Sequence, residues 1–222
     1  PVPKKQLIKR RIKTLGMAKV LGQVLFQILI IPVLKARASK RIEEIKKLNK
    51  MNDSRDYRMR PDFYHIHSIN SDETIKLLKE YKPDVVIVNG TRIISKRILK
   101  SSDAIFINMH MGITPKYRGV HGGYWALYEN DAKNAGVTIH LVDEGIDTGE
   151  VLYQSCIRCN EWDNFCTYPY LQLAEGIKLE MKVLEDIEKN ELKSIKVNLP
   201  SMLWSHPTIR EYLHARRKRN VR

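Results

Sequence analysis

Acidic residues are scarce in this chain. Its 222 residues hold 25 Asp and Glu against 39 Lys and Arg, a formal net charge of +14. The shortage is local. The first fifty residues contain only Glu43 and Glu44, facing Lys4, Lys5, Lys9, Arg10, Arg11, Lys13 and further lysines and arginines up to Lys50. Arg216 to Arg222 form a second basic cluster, while the middle is nearly balanced. The excess charge therefore sits at the two ends, where it points to an anionic partner: a phosphate, a polyanionic cofactor, nucleic acid or a membrane surface. Aromatic residues are not interleaved with the basic ones, which argues against a single-strand nucleic-acid binder, and no nucleic-acid partner is expected.

Other absences narrow the class. Three cysteines, Cys156, Cys159 and Cys166, are too few for a disulfide scaffold, and no signal peptide precedes them, so a reduced, cytoplasmic protein is expected. Cys156 and Cys159 have the spacing of half a zinc site, but a fourth ligand at metal-site spacing is lacking and no metal is expected. No G-x-G-x-x-G and no phosphate-cradling lysine motif occurs, which excludes the usual nucleotide-triphosphate sites. There is no internal repeat and no low-complexity tract. The longest apolar stretch, Met17 to Val33, is interrupted by Lys19, Gln23 and Gln27, and it falls short of the roughly 20 clean apolar residues of a membrane span. Those three polar positions recur every four residues and so fall near one side of a helix, leaving a wide apolar face to bury against a core. Weak peripheral contact of this basic segment with an anionic membrane is the second reading.

The elements alternate. Residues 1–60 read as a basic helical segment closed by a polar loop from Met51 to Pro61. His65 to Ile69 reads as a short strand, and Ser71 opens a helix through Tyr81. Asp84 to Val88 is a β-branched run of the kind buried on both faces of a sheet. A short helix over Ile94 to Lys100, a strand over Ala104 to Asn108, a glycine-containing loop and a helix from Tyr124 to Glu129 follow. Strands over Val137 to Val142 and Val151 to Ile157 precede a long helix, Leu171 to Lys189, and a basic tail. This order predicts an α/β fold with an open, mostly parallel, Rossmann-like sheet. Residues 61–160 would be the catalytic core and 161–222 a C-terminal helix and tail. Ligands in such sheets bind beyond the carboxyl ends of the strands, where the loops after Val88, Asn108 and Val142 are expected to meet.

Three side chains of different chemistry could converge there. Asn108 and His110 alternate on extended backbone and point the same way. Gly136 to Val142 is a strand leading into the acidic, glycine-containing loop Asp143 to Gly149, which carries Asp147. An amide, an imidazole and a carboxylate suit acyl transfer to an amine. The amide orients the acyl oxygen and a protonated imidazole stabilises the oxyanion. The carboxylate raises the imidazole pKa and helps remove the proton that the amine sheds.

In order and separation, these segments resemble the folate-dependent formyltransferases, the superfamily of methionyl-tRNA, glycinamide ribonucleotide and amino-sugar formyltransferases. The resemblance rests on Asn108-Met109-His110, on Pro115 to Gly119, and on Gly136 to Gly149, and is continuous from about Pro83 to Gln154. It implies the formyltransferase type of open sheet, 10-formyltetrahydrofolate as formyl donor and a small-molecule amine as acceptor, an amino sugar or glycinamide ribonucleotide. It also implies Asn108, His110 and Asp147 as the catalytic trio. By the same resemblance the donor's pterin would be held by Arg92, Ile93 and Ile94 and by the loop holding Asp143, Glu144 and Gly145. Gly119 and His121 would lie towards the acceptor, Arg118 would either meet a phosphate or the acceptor or simply fix the loop, and His140 would support the site rather than react.

The resemblance fails at the start. Family members begin with a strand, a glycine-containing turn and a helix, which nothing in the first fifty residues matches. The chain opens on Pro1, so a truncated first β-α-β unit is expected. The pattern looks closest to bacterial formyltransferases with a basic helical segment before the core. Hydrolysis of the formyl donor, and a basic binding module that merely retains the fold, are the competing readings.

Overall fold

The computed structural model describes residues 4–51, 59–219 and 221–222. Most of the predicted loop from Met51 to Pro61 lies outside them.

The β-branched run forms β1 (Val85–Val88), which a short helix α5 (Lys96–Leu99) connects to β2 (Ile105–His110). These two strands are parallel, with Val88 opposite Asn108. The chain then passes through a two-residue strand β3 (Arg118–Gly119) and helix α6 (Gly122–Tyr128) into β4 (Gly136–Leu141) and β5 (Val151–Cys156). The sheet order is β1-β2-β4-β5. Both β2–β4 and β4–β5 pair antiparallel. The open α/β sheet is thus present, but it is mixed rather than mostly parallel. The cause is the connection after β2. It leaves at His110 and returns near the same level, with Thr138 opposite His110, so β4 must run back down.

The two faces of the sheet differ. Ile107, Ile139 and Leu152 pack with Val183 of helix α7 (Tyr168–Glu188). On the other face Phe106 packs with Leu78 of α4 (Asp72–Tyr81), Ile94 and Ile98. Strand alternation puts Asn108 and His110 on the Phe106 face. Two expectations fail here. Residues 65–69 form no strand. β1 is not buried on both faces: it ends the sheet, its outer edge carries no strand among the described residues, and Ile87 is 49 % exposed.

The chain's two ends share a second core. Helices α1 (Lys4–Leu15) and α2 (Met17–Leu25) lead through a π turn (Phe26–Ile30) into α3 (Ile31–Leu48). Pro32, at the start of α3, has no N–H for the usual helical bond, and at the turn the Ile31 N–H reaches back five residues to Phe26 O. Phe26 and Leu34 pack with Tyr117, Tyr124, Trp125, Phe165 and Tyr212, the last from α8 (Ile209–Arg219). The apolar segment is therefore a helix packed on the domain, but through a narrower stripe than expected. Lys19 and Gln27 are exposed as expected, but so is most of the apolar side, and Gln23 is buried beside Val20 and Phe26, 2 % exposed. The tail explains this, since Gln23 Nε2 donates to His206 O at 2.6 Å and Gln23 Oε1 accepts from Arg11 at 2.9 Å.

Candidate active site

The antiparallel register sets the site. His140 lies directly opposite Asn108, and such cross-strand neighbours share a face. Their side chains meet, Asn108 Nδ2 to His140 Nε2 at 3.1 Å. His140 Nδ1 lies 2.7 Å from Leu141 O, to which it donates, leaving Nε2 free to accept from the amide. One rung along, His110 Nε2 is 2.7 Å from Tyr117 O.

Asp147 arrives from a loop rather than a strand. β4 runs down the sheet, so residues 143–149 leave at the level of Phe106, where Val142 N donates to Phe106 O. They then fold back over the face. The Asp143 carboxylate ties the return, accepting from Gly145 N at 3.0 Å and from Thr148 Oγ1 at 2.7 Å. Asp147 has φ +51°, a left-handed conformation that Asp tolerates better than most residues. Its Oδ2 accepts from Gly119 N at 2.9 Å and lies 3.3 Å from His110 Nδ1, and Oδ1 is 3.8 Å from His140 Nε2. Gly119 can come this close only as glycine. Its φ is +94°, and a Cβ there would lie 2.4 Å from Trp204 O on strand β6 (Leu203–Trp204), which pairs with β3.

Opposing influences act on His110. Burial holds the His110 imidazole below its ordinary pKa range, and the Asp147 carboxylate and Tyr117 carbonyl oppose that shift without cancelling it. Each ring nitrogen faces an acceptor, Tyr117 O at Nε2 and the Asp147 carboxylate at Nδ1, so burial favours the neutral ring while these two partners favour the protonated one.

A cleft of about 180 Å³ opens over this cluster. Asn108, Asp147 and His140 line it, with Arg92, Ile93, Ile94, Asp143 and Gly145. Glu144 does not; it pairs with Lys96 at 3.1 Å, both side chains well exposed. His110 sits behind Asp147, only 6 % exposed, and reaches the cleft through it. A larger hollow of about 1280 Å³ lies at the amino ends of β1 and β2 and touches none of these acid–base groups.

The residues expected towards the acceptor are divided. Gly119 anchors Asp147. Arg118 Nη1 donates to Ile146 O at 2.9 Å, and Nε is buried with no partner among the described residues, so this side chain fixes the loop. His121 does not line the cleft; it packs on Phe165, with ring centroids 4.5 Å apart, and its Nε2 is 3.0 Å from His206 Nδ1. Sequence reasoning gives His140 a supporting role but does not foresee its bond to Asn108 or the contact between His121 and His206. The signal for His140 is its register opposite Asn108, which needs the antiparallel pairing to be known.

The sequence profile described as Formyl transferase matches residues 32–168, more than half of the chain. The chain belongs to the formyl transferase family. The chain is 35 % identical over 127 residues to a methionyl-tRNA formyltransferase of Kosmotoga olearia, a match covering 57 % of this chain and 40 % of that protein. It is 36 % identical over 126 residues to the methionyl-tRNA formyltransferase of Finegoldia magna, covering 55 % and 39 %. The chain thus spans about two fifths of the length of these curated relatives. Among solved structures, a sugar N-formyltransferase from Shewanella sp. superposes with a TM-score of 0.54 at 20 % identity, over 76 % of this chain and 72 % of that one. That likeness speaks for the formyltransferase fold alone. A 4-N formyltransferase from Francisella tularensis gives 0.50 at 25 % identity, over 64 % and 55 %.

Proposed function

We propose that this formyl transferase moves a formyl group from 10-formyltetrahydrofolate to the amine of a small-molecule acceptor, an amino sugar or glycinamide ribonucleotide. The observation that carries the reading is the Asp147 carboxylate, held between two histidines and facing a cleft beside the Asn108 amide. The donor suits that cleft by its chemistry. Backbone at residues 92–94 and 143–147 offers hydrogen-bonding edges for a planar heterocycle, and Ile93, 53 % exposed, offers an apolar face.

In this reading the amine attacks the formyl carbon. A carbon–nitrogen bond forms as the bond from that carbon to the donor nitrogen breaks. The Asn108 N–H donates to the formyl oxygen as charge develops on it. The proton shed by the amine passes to the Asp147–His110 pair and then to the leaving donor nitrogen. His140 holds the Asn108 amide in position. A reduced, cytoplasmic setting belongs to the same proposal.

A second acceptor, methionyl-tRNA, is favoured by the curated relatives, which are methionyl-tRNA formyltransferases, and by the basic ends of the chain. One experiment separates the readings. The chain is incubated with 10-formyltetrahydrofolate and, in turn, a nucleotide-linked amino sugar, glycinamide ribonucleotide or methionyl-tRNA, and products are read by mass spectrometry. Formylation of a small amine, lost in Asp147→Asn, supports the first reading. Formylation of methionyl-tRNA alone supports the second. Formate release without any acceptor points to hydrolysis, and no donor consumption overturns the enzymatic reading.

A further inference from the structure

The N-terminal helix bears an apolar surface that neither core uses. From Met17 to Leu48 it is long and apolar enough to cross a membrane by length and composition, yet only 22 % of its most apolar window is buried. The inner stripe is fixed to the domain. Phe26 packs on Phe165 and Tyr212, and Gly22 lies so close to α8's entry that a Cβ there would be 2.9 Å from Thr208 Cβ. Gln23 is bonded to Ser205 and His206. A helix attached along its length to such polar groups cannot be surrounded by hydrocarbon, as a span must be.

The outer stripe is bare. Met17 is 69 % exposed, Leu21 57 %, Val24 41 %, Ile28 63 %, Leu29 53 % and Val33 49 %. Met17, Leu21, Val24 and Ile28 recur every three or four residues and so share one side of the helix, and Leu29 and Val33 continue the exposed apolar surface past the π turn. Exposed cations bracket the stripe, Lys13 and Lys19 near one end and Lys35, Arg37 and Lys40 at the other. Immediately after Val33 a cavity of about 320 Å³ opens, lined by Leu34, Arg37, Trp162, Asn164, Arg216 and Arg222. It combines three guanidinium groups with no acidic side chain among the described residues, and its tryptophan is 70 % exposed. Arginine forks match phosphate oxygens, and tryptophan favours the boundary between headgroups and hydrocarbon.

We propose that this face is a monotopic docking surface for an anionic phospholipid bilayer. The outer stripe lies in the plane of the interface, and the pocket of Arg37, Arg216 and Arg222 takes a lipid phosphate. An apolar stripe bracketed by cations matches a surface that is apolar beneath and anionic above. A second copy of the chain is a poorer occupant, because two such faces would bring like charges together.

Flotation of the whole chain with vesicles tests this. Binding is expected to vesicles containing phosphatidylglycerol, with little to pure phosphatidylcholine, and should fall severalfold when salt shortens the screening length to about 3 Å. Leu21→Glu with Ile28→Glu should reduce vesicle binding by about tenfold or more. Both positions face solvent, so an unchanged thermal melt should accompany the loss. Arg37→Ala with Arg216→Ala should weaken binding severalfold, and free inorganic phosphate should not compete if the phosphate belongs to a lipid in the bilayer. Three results overturn the proposal: no binding to anionic vesicles, binding by the Glu variant equal to wild type, or retention in the lipid fraction through carbonate, which marks a span. A wild-type dimer that the Glu variant turns into a monomer, without vesicle binding by either, assigns the face to a second copy instead.

Discussion

Two pairs of histidines lie on either side of Gly119, His110 and His140 buried, His121 and His206 half-buried, and they differ in what surrounds them. His110 and His140 flank the Asp147 carboxylate beside a cleft. His121 and His206 touch each other, with Phe165 on the His121 ring and no carboxylate of the described residues within ion-pair distance. Burial depresses His110 and His121 alike, but only His110 has an anion opposing the shift. His121, with only His206 nearby, falls to about 4. A buried imidazole can exchange protons near neutral pH only with an anion beside it. The second pair lacks one.

The comparison can be broken most sharply at the carboxylate. Asp147→Asn should keep the fold, since the amide oxygen can still accept from Gly119 N, while turnover falls by about 10²-fold or more. Full activity in the purified variant would show that the first pair is no more catalytic than the second. His110→Ala is expected to lower turnover by somewhat less, about tenfold to a hundredfold, with donor affinity little changed. Its pH–rate profile should also lose the acid limb that the depressed His110 imposes. A fall confined to donor affinity would make His110 a binding residue.

Gly119→Ala tests the hinge between the pairs. A methyl group 2.4 Å from Trp204 O must push β3 from β6 and carry the Asp147 anchor with it. Turnover should drop roughly tenfold through misplacement of a carboxylate that is still present. Wild-type kinetics would mean that Asp147 needs no such anchor. The smallest effect on activity is expected at His121→Phe, within about twofold. Its signature is in stability. The folded pKa of about 4 lies below the ordinary 6.5, so the unfolded chain binds more protons between these values. Stability present above pH 6.5 is lost as pH falls towards 4, by up to about 3 kcal/mol. Denaturant titrations across that range should be steeper in wild type than in His121→Phe, and equal slopes would remove His121 from the acid response.

Much of this is legible in the amino-acid sequence, for physical reasons. The run Val85 to Val88, the Asn108–His110 alternation and the helix after Ser71 depend on local periodicity, which sequence carries directly. Membership in the formyl transferase family follows from two motifs in order. What fails depends on non-local partners. The sense of β4 is set by where a 25-residue connection returns (residues 111–135 lie between the strands), not by β4's own residues. His140 becomes a cleft residue through its register with Asn108. Gln23, at a position that periodicity assigns to the solvent side, is drawn inwards by Ser205 and His206, some 180 residues away. The downward pull on the His110 pKa comes from burial by elements that its own strand does not reveal.

The bare edge of β1 has a consequence for hydrogen exchange. Along Val85 to Val88, amides alternate between those bonded to β2 and those directed outwards. A sheet that ends here in solution should give an alternating ladder of slow and fast exchange over these four residues. If another strand covers the edge, from a second copy or from a longer chain, the outward amides become as slow as their neighbours. Four amide rates would thus report whether this sheet is finished.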